Sequence, residues 1–149
     1  LEEVWDRMLS SGKMIYGIAV DDVHYFKRPE DPAAPRPGQG WVYVNAPRLE
    51  SRALVEALER GEFYSSTGVE LSSVTSTTRG LTVTVKTQPS SKYRIQFIGR
   101  QGALLSESTA SPATYTFKGD ESYVRAKVIE SNGKLAWVQP VPVGSSAPK

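Results

Sequence analysis

One short stretch of the sequence carries residue types suited to metal chemistry. Asp21, Asp22 and His24 directly follow an apolar run at residues 14–20, for which we predict a strand of a parallel sheet covered on both faces. Catalytic groups of α/β folds lie just past the carboxyl ends of such strands. On an extended segment Asp22 and His24 point the same way, and a carboxylate with an imidazole suits Zn²⁺, Mn²⁺ or Fe²⁺. Because a catalytic metal takes three or more protein ligands, spacing alone favours the other interpretation, a strand end with a solvated His24 and two acidic turn residues.

A second candidate is a group of hydroxyls. Tyr64, Ser65, Ser66 and Thr67 precede Gly68, and together they could line a phosphate site. Hydroxyls around a glycine more often serve turn formation, which is the interpretation that we favour.

The remaining candidates are weaker. The chain has one histidine, so a Ser-His-Asp triad has a single possible base and is not expected. Trp41, Tyr115 and Trp137 form either an aromatic platform for sugars or, as we expect, part of the packing. Basic residues scattered over predicted strand faces are expected to be solvated: Arg94, Arg100 and Arg125.

Composition excludes several function classes. The 149 residues include 18 Lys and Arg against 16 Asp and Glu, without a basic cluster, so we expect no nucleic-acid partner. The absence of cysteine removes disulfides, zinc-thiolate sites and thiol catalysis, and leaves the compartment undetermined. No apolar run approaches the roughly 20 residues of a membrane span.

The N-terminal half has a mixed pattern. We predict a helix of about ten residues that ends at 10–12, an irregular proline-rich loop at 27–40 and a strand at 41–45. A second helix at 50–60 should end at Gly61 in the left-handed conformation. The first helix has one apolar face, made of Leu1, Val4, Trp5, Met8 and Leu9.

The C-terminal half has the pattern of an all-β module. After a hinge at 64–68, Ser, Thr and Val become frequent, and residues 81–86 and 93–98 alternate with period two, which predicts half-buried strands. Asn132-Gly133 predicts a two-residue type I′ hairpin turn. Short antiparallel strands at this spacing indicate a β-sandwich. Further predicted strands lie at 104–105, 113–117, 123–129 and 135–141.

Several motifs, in this order, resemble a known family. Residues 16–24 (YGIAVDDVH), 40–44 (GWVYV) and 53–68 (ALVEALERGEFYSSTG) are similar to the C-terminal stretch of the polymerase and histidinol phosphatase (PHP) family of metal-dependent phosphoesterases. Residues 123–126 (YVRA) and 132–140 (NGKLAWVQP) are similar to the last strands of a β-sandwich appended to some members.

The resemblance implies the end of a distorted (β/α)₇ barrel that hydrolyses a phosphoester with metal-activated water. The Asp-x-His pair of the family matches Asp22 and His24, which are therefore expected to be metal ligands, while Asp21 has no assigned role. The family's other histidine and acidic ligands would lie upstream of Leu1. We therefore expect a divalent metal (Mn, Zn or Fe) in the complete protein, and a chain that is an inactive C-terminal fragment by itself.

The predicted fold class is α+β. Residues 1–66 are assigned to a partial α/β unit, the remnant of a PHP barrel, residues 67–143 to an immunoglobulin-like sandwich, and residues 144–149 to a disordered tail. Two parallel strands with two helices leave a sheet edge and apolar faces uncovered. The expected partners are the missing upstream half of the barrel or a second copy of the chain, and a phosphoester substrate. The alternative function is a non-catalytic β-sandwich module that binds carbohydrate or protein.

Overall fold

The computed structural model describes residues 1–24 and 36–144. Within these ranges the chain is a β-rich α+β fold with two short helices and two sheets, and all the strand pairings are antiparallel. The six-stranded sheet has the order β1-β2-β9-β8-β5-β6, and the three-stranded sheet has the order β3-β4-β7. The elements are α1 (Glu2–Ser10), β1 (Trp41–Val44), α2 (Ser51–Glu59), β2 (Phe63–Ser66), β3 (Leu71–Ser76), β4 (Gly80–Val85), β5 (Tyr93–Ile98), β6 (Leu104–Ser108), β7 (Ala113–Thr116), β8 (Tyr123–Glu130) and β9 (Leu135–Pro142).

The hydrophobic core lies between the two sheets. Leu81 and Val83 of β4 belong to the same buried cluster as Phe97 of β5 and Val124 of β8, and Phe97 stacks on Tyr115 of β7 at 5.8 Å between ring centroids. The predicted period-two strands are confirmed, because every second residue of β4 and β5 faces this core.

Helix α1 packs on the outer face of the six-stranded sheet, and its orientation differs from the prediction. Asp6 and Leu9 are its buried residues, whereas Leu1, Val4 and Met8 are exposed. The predicted apolar face was therefore wrong for most of its residues. The reason lies in the sheet: β8 presents polar side chains to the helix, so the acidic stripe of α1 faces inward.

The predicted parallel strand at 14–20 was also wrong. Residues 13–24 contain no strand, and β1 pairs antiparallel with β2. A strand needs a hydrogen-bonded neighbour, and here the backbone of this segment bonds to side chains instead. Ile18 and Val20 remain 66% and 65% exposed.

The predicted hinge at 64–68 is largely strand β2. It lies between β1 and β9, with Ser65 opposite Val42 on one side and opposite Trp137 on the other. The six-stranded sheet therefore runs across the predicted domain boundary at residues 66 and 67.

Two predicted turns, the one after α2 and the one between β8 and β9, lie within the described residues. Gly61 follows α2 with φ of 71°, which confirms the left-handed cap. The β8–β9 hairpin is present, but the turn differs from type I′, because only Gly133 has positive φ. The amide of Gly133 donates to the carbonyl oxygen of Glu130, and the amide of Glu130 donates to that of Lys134, which leaves a three-residue loop at 131–133.

Two predicted irregular segments lie largely outside the described residues. The proline-rich loop at 27–40 is described only from residue 36, and the predicted tail only at residue 144.

Candidate functional site

Asp22 and His24 lie side by side at the surface. The Nδ1 atom of His24 is 3.9 Å from Oδ1 of Asp22, and the side chains are 69% and 84% exposed for His24 and Asp22. Nδ1 is also 2.9 Å from the carbonyl oxygen of Asp22. Because a carbonyl oxygen only accepts, Nδ1 carries the proton of this bond, and the lone pair of the neutral ring is on Nε2. A backbone carbonyl that fixes the tautomer in this way is the usual outer partner of a histidine metal ligand.

Asp21 has a structural role that sequence reasoning did not assign. Its carboxylate accepts backbone N–H groups from Gly38, Gln39 and Gly40 at 2.8, 2.6 and 2.7 Å. These hydrogen bonds, chiefly those from Gly38 and Gly40, lower the pKa of the Asp21 carboxyl. Asp21 thus ties the segment before His24 to the start of β1, and its oxygens are engaged there.

The segment that carries Asp22 and His24 is attached to the sheet by two side chains. The amide of Gln139 on β9 accepts the N–H of Gly17 at 2.9 Å and donates to the Gly17 carbonyl oxygen at 2.8 Å. The hydroxyl of Ser65 donates to the same carbonyl at 2.8 Å and accepts the N–H of Ala19 at 3.1 Å. Both side chains belong to buried residues.

Trp5 holds the same segment from the helix. Its indole Nε1 donates to the carbonyl oxygen of Ile15 at 3.0 Å. A Cβ on Gly17 would lie 3.1 Å from the Trp5 ring, so the close approach requires glycine or a shift of the indole. We refer to Trp5, Ser65 and Gln139, with the backbone atoms of residues 15–19 that they bind, as the segment clamp.

The other hydroxyls of the 64–68 group also serve the backbone. The Tyr64 hydroxyl accepts the N–H of Leu71, Ser66 donates to the carbonyl of Val69, and the N–H of Leu135 donates to Thr67. These contacts agree with the structural interpretation of the group, because the hydroxyls pair with main-chain atoms.

Trp41, Tyr115 and Trp137 do not form one platform. Tyr115 is buried in the core between the sheets, whereas Trp137 alternates with core-facing Val138 and lies on the outer face of β9. Trp41 packs edge-on against Tyr43 at 6.2 Å between ring centroids.

The prediction that Arg125 is solvated is wrong. Arg94 and Arg100 are exposed, but Arg125 is only 1% exposed. Its Nε and Nη2 donate to the two carboxylate oxygens of Asp6 at 2.7 Å each, and its guanidinium lies 4.9 Å from the ring centroid of Trp5. Burial alone would lower the pKa of Arg125, but the hydrogen bonds and charge of Asp6 outweigh it and raise that pKa. The alternation of side chains along β8 places Arg125 on the outer face of the sheet. It does not reveal that α1 covers this face with its charged side chains.

Three neighbours, Glu2, Tyr123 and Lys127, complete the network around Asp6 and Arg125. Tyr123 donates its hydroxyl to Asp6 at 2.8 Å, and Lys127 donates to Glu2 at 2.5 Å. We call these five residues the α1 ion-pair network: Glu2, Asp6, Tyr123, Arg125 and Lys127.

In the part of the chain that the structure describes, no three His, Cys, Asp or Glu side chains are grouped to hold a metal ion. None of the helices at 1–24 and 36–144 is long and apolar enough to cross a membrane. A cleft of about 770 Å³ opens beside β3, and Tyr43, Tyr64 and Val141 are among the residues that line it.

Comparison with known proteins does not assign a family: no family model, curated protein or solved structure matches this chain.

Proposed function

We propose that the chain is the C-terminal part of a PHP-like metal-dependent phosphoesterase, and that Asp22 and His24 supply two ligands to its divalent metal, Mn, Zn or Fe. Residues 1–66 would be the end of the barrel, and residues 67–143, with strands β3 to β9, would be its appended immunoglobulin-like sandwich. The sequence resemblance motivates the proposal. The observation that carries it is the exposed Asp22–His24 pair, in which the Asp22 carbonyl fixes the histidine tautomer.

The donor atoms suit such a metal. A carboxylate oxygen and an imidazole nitrogen are ligands common to Mn, Zn and Fe. The chemistry supplied by a bound metal would be activation of water for attack on a phosphoester. In the proposal Nε2 of His24 would bind the ion. The Asp22 carboxylate, which lies 3.9 Å from Nδ1, would turn toward the ion from its exposed position, while Asp21 holds the preceding backbone.

Two ligands do not complete a catalytic site, which takes at least three from protein. The proposal therefore assigns the remaining ligands to an upstream half of the barrel or to a second copy of the chain. The exposed side chains of Ile18 and Val20 support a partner on this side of the molecule.

The proposal can be tested in the complete gene product that contains this chain. Hydrolysis of an aryl phosphate with added Mn²⁺ should fall by about 100-fold in Asp22→Asn and His24→Ala, as expected when a metal ligand or its close support is removed. Glu59→Gln, an exposed position on α2, is the matched control and should keep full activity. Full activity in both ligand variants would contradict the proposal.

A second function, a non-catalytic module that binds carbohydrate, is favoured by one observation. The rings of Tyr43 and Tyr64 stack at 4.8 Å and line the open cleft beside β3. Aromatic rings in a cleft are a common support for sugars. Chemical-shift changes at Tyr64 on titration with neutral oligosaccharides, absent from Tyr43→Ala, would support this function instead.

A further inference from the structure

We propose that Gln139 and Ser65 are positioning residues for the metal ligands: the neighbouring strands β9 and β2 fix the segment that ends in Asp22 and His24. This inference rests on the proposed function, because it assumes that Asp22 and His24 bind a metal.

The side chains of Gln139 and Ser65 bond to the segment as a neighbouring strand would. Gln139 both accepts from and donates to Gly17, which is the exchange that a neighbouring strand residue would make. Ser65 adds a bond to the Gly17 carbonyl and one to the Ala19 N–H. Four hydrogen bonds from two buried side chains thus replace the missing strand pairing of residues 17–19.

Alternative roles for these two residues are limited by their surroundings. Gln139 is 4% exposed and Ser65 is 2% exposed, so neither is available to a ligand at the surface. An apolar side chain could fill either place, yet both positions carry polar groups whose bonds go to the segment. A buried polar group is costly unless it is satisfied, so these bonds fix the segment in one place.

The segment ends close to the proposed ligands. Ala19 is three residues before Asp22, and Asp21 is anchored separately by the N–H groups at 38–40. The clamp and Asp21 therefore both fix the backbone that leads into the ligand turn. Loss of the clamp should widen the range of positions that Asp22 and His24 occupy, and so weaken their joint binding of a metal.

The test uses the full chain and its single histidine, whose ring protons give signals that no other residue contributes. MnCl₂ is the probe, because the paramagnetic ion broadens the signals of protons near it even when binding is weak. Gln139→Met keeps the side-chain volume and removes both bonds, and Ser65→Ala is a smaller change. Gln88→Met, at an exposed position between β4 and β5, is the matched control.

Hydrogen exchange at Gly17 and Ala19 measures the clamp itself. We expect the Gly17 amide to exchange about tenfold faster in Gln139→Met, and the Ala19 amide about tenfold faster in Ser65→Ala, as the loss of one net hydrogen bond implies. Amides in β5 and β8 should keep wild-type exchange, which would show that the sheet is intact. If Gln139→Met fails to fold, the exchange rate of the Ala19 amide in Ser65→Ala alone tests the clamp.

Mn²⁺ broadening of the His24 signals measures the ligand turn. The His24 signals of the wild-type chain and of Gln88→Met should broaden at a several-fold lower Mn²⁺ concentration than the His24 signals of the other three variants. Those variants are Asp22→Asn, Gln139→Met and Ser65→Ala. If the clamp variants broaden like wild type, the positioning role is wrong and the metal role stands. If the wild-type chain itself broadens no more than Asp22→Asn, the proposed function fails, and this inference fails with it.

Discussion

The carboxylate of Asp6 and the guanidinium of Arg125 form two hydrogen bonds of 2.7 Å between α1 and the outer face of β8. Both residues are buried, so the pair has lost most of its contact with water. The energetic consequence of such a pair appears when one partner is removed, because the other is left as an uncompensated charge.

We therefore expect Arg125→Met to lower the free energy of unfolding by about 3–5 kcal/mol. Urea unfolding followed by tryptophan fluorescence would measure the loss. The control is Arg94→Met, since Arg94 lies at the surface 3.5 Å from Glu107 and should cost less than about 1 kcal/mol. The double variant Asp6→Leu/Arg125→Met should lose less than Arg125→Met alone, and an equal or larger loss would show that the charges are not coupled.

The network also predicts a loss of stability in alkali. Burial and the hydrogen bond to Asp6 raise the pKa of Tyr123 to about 12, from an ordinary value of 10.0. Because the folded-state pKa is the higher one, the contribution of Tyr123 is fully present below pH 10 and is lost as the pH rises from 10 toward 12. The unfolding free energy of Tyr123→Phe should depend less steeply on pH across that window, with pH 8 as the reference, and an unchanged slope would contradict the assignment.

The glycines after the two helices provide a matched pair. Gly12 follows α1 with φ of 87° and open space around its Cβ position, while Gly61 follows α2 with φ of 71° and a Cβ position 2.4 Å from the Tyr16 ring. Gly12→Ala should therefore cost only the left-handed strain, about 1 kcal/mol. Gly61→Ala should cost clearly more in thermal or urea unfolding, because the Tyr16 ring must also move; equal losses would mean that the ring moves freely.

Enzymatic activity should be absent from the chain alone. With Asp22 and His24 as its proposed ligands, the 149-residue polypeptide cannot fix the geometry of a catalytic metal. Turnover of an aryl phosphate with added Mn²⁺ should equal that of buffer with Mn²⁺. Clear turnover that His24→Ala abolishes would show that the chain holds a complete site.

We expect the chain to self-associate. Ile18 and Val20 are exposed side by side on the clamped segment, and burial of each such side chain stabilises by roughly 1.5–3 kcal/mol. Sedimentation velocity should show a sedimentation coefficient that rises with concentration, and this rise should shrink in Ile18→Ser/Val20→Ser. Val74→Ser, an exposed change on the other sheet, should leave it unaltered. A wild-type chain that stays monomeric at high concentration would contradict this.

Local signals predicted much of the β-rich part. The alternation in β4 and β5, the left-handed Gly61 and the β8–β9 hairpin all depend on residues close in sequence, and all three are present. The apolar run at 14–20 has the residue types of a buried strand, yet a strand also requires a neighbour, which a local pattern does not specify.

The contacts that hold the candidate site are long-range. Gln139 and Gly17 are separated by 122 positions, and Arg125 and Asp6 by 119, so no periodicity links them. The apolar pattern of α1 was also misleading. The polar side chains of β8, which are distant in sequence, decide which side of the helix is buried. The metal role of Asp22 and His24 stays a prediction.

The hydrogen bonds from residues 38–40 to Asp21 have a consequence for engineering. Because one carboxylate holds three successive main-chain N–H groups, a single side chain fixes where the chain enters β1. Asp21 is thereby the residue that any redesign of this surface must leave untouched.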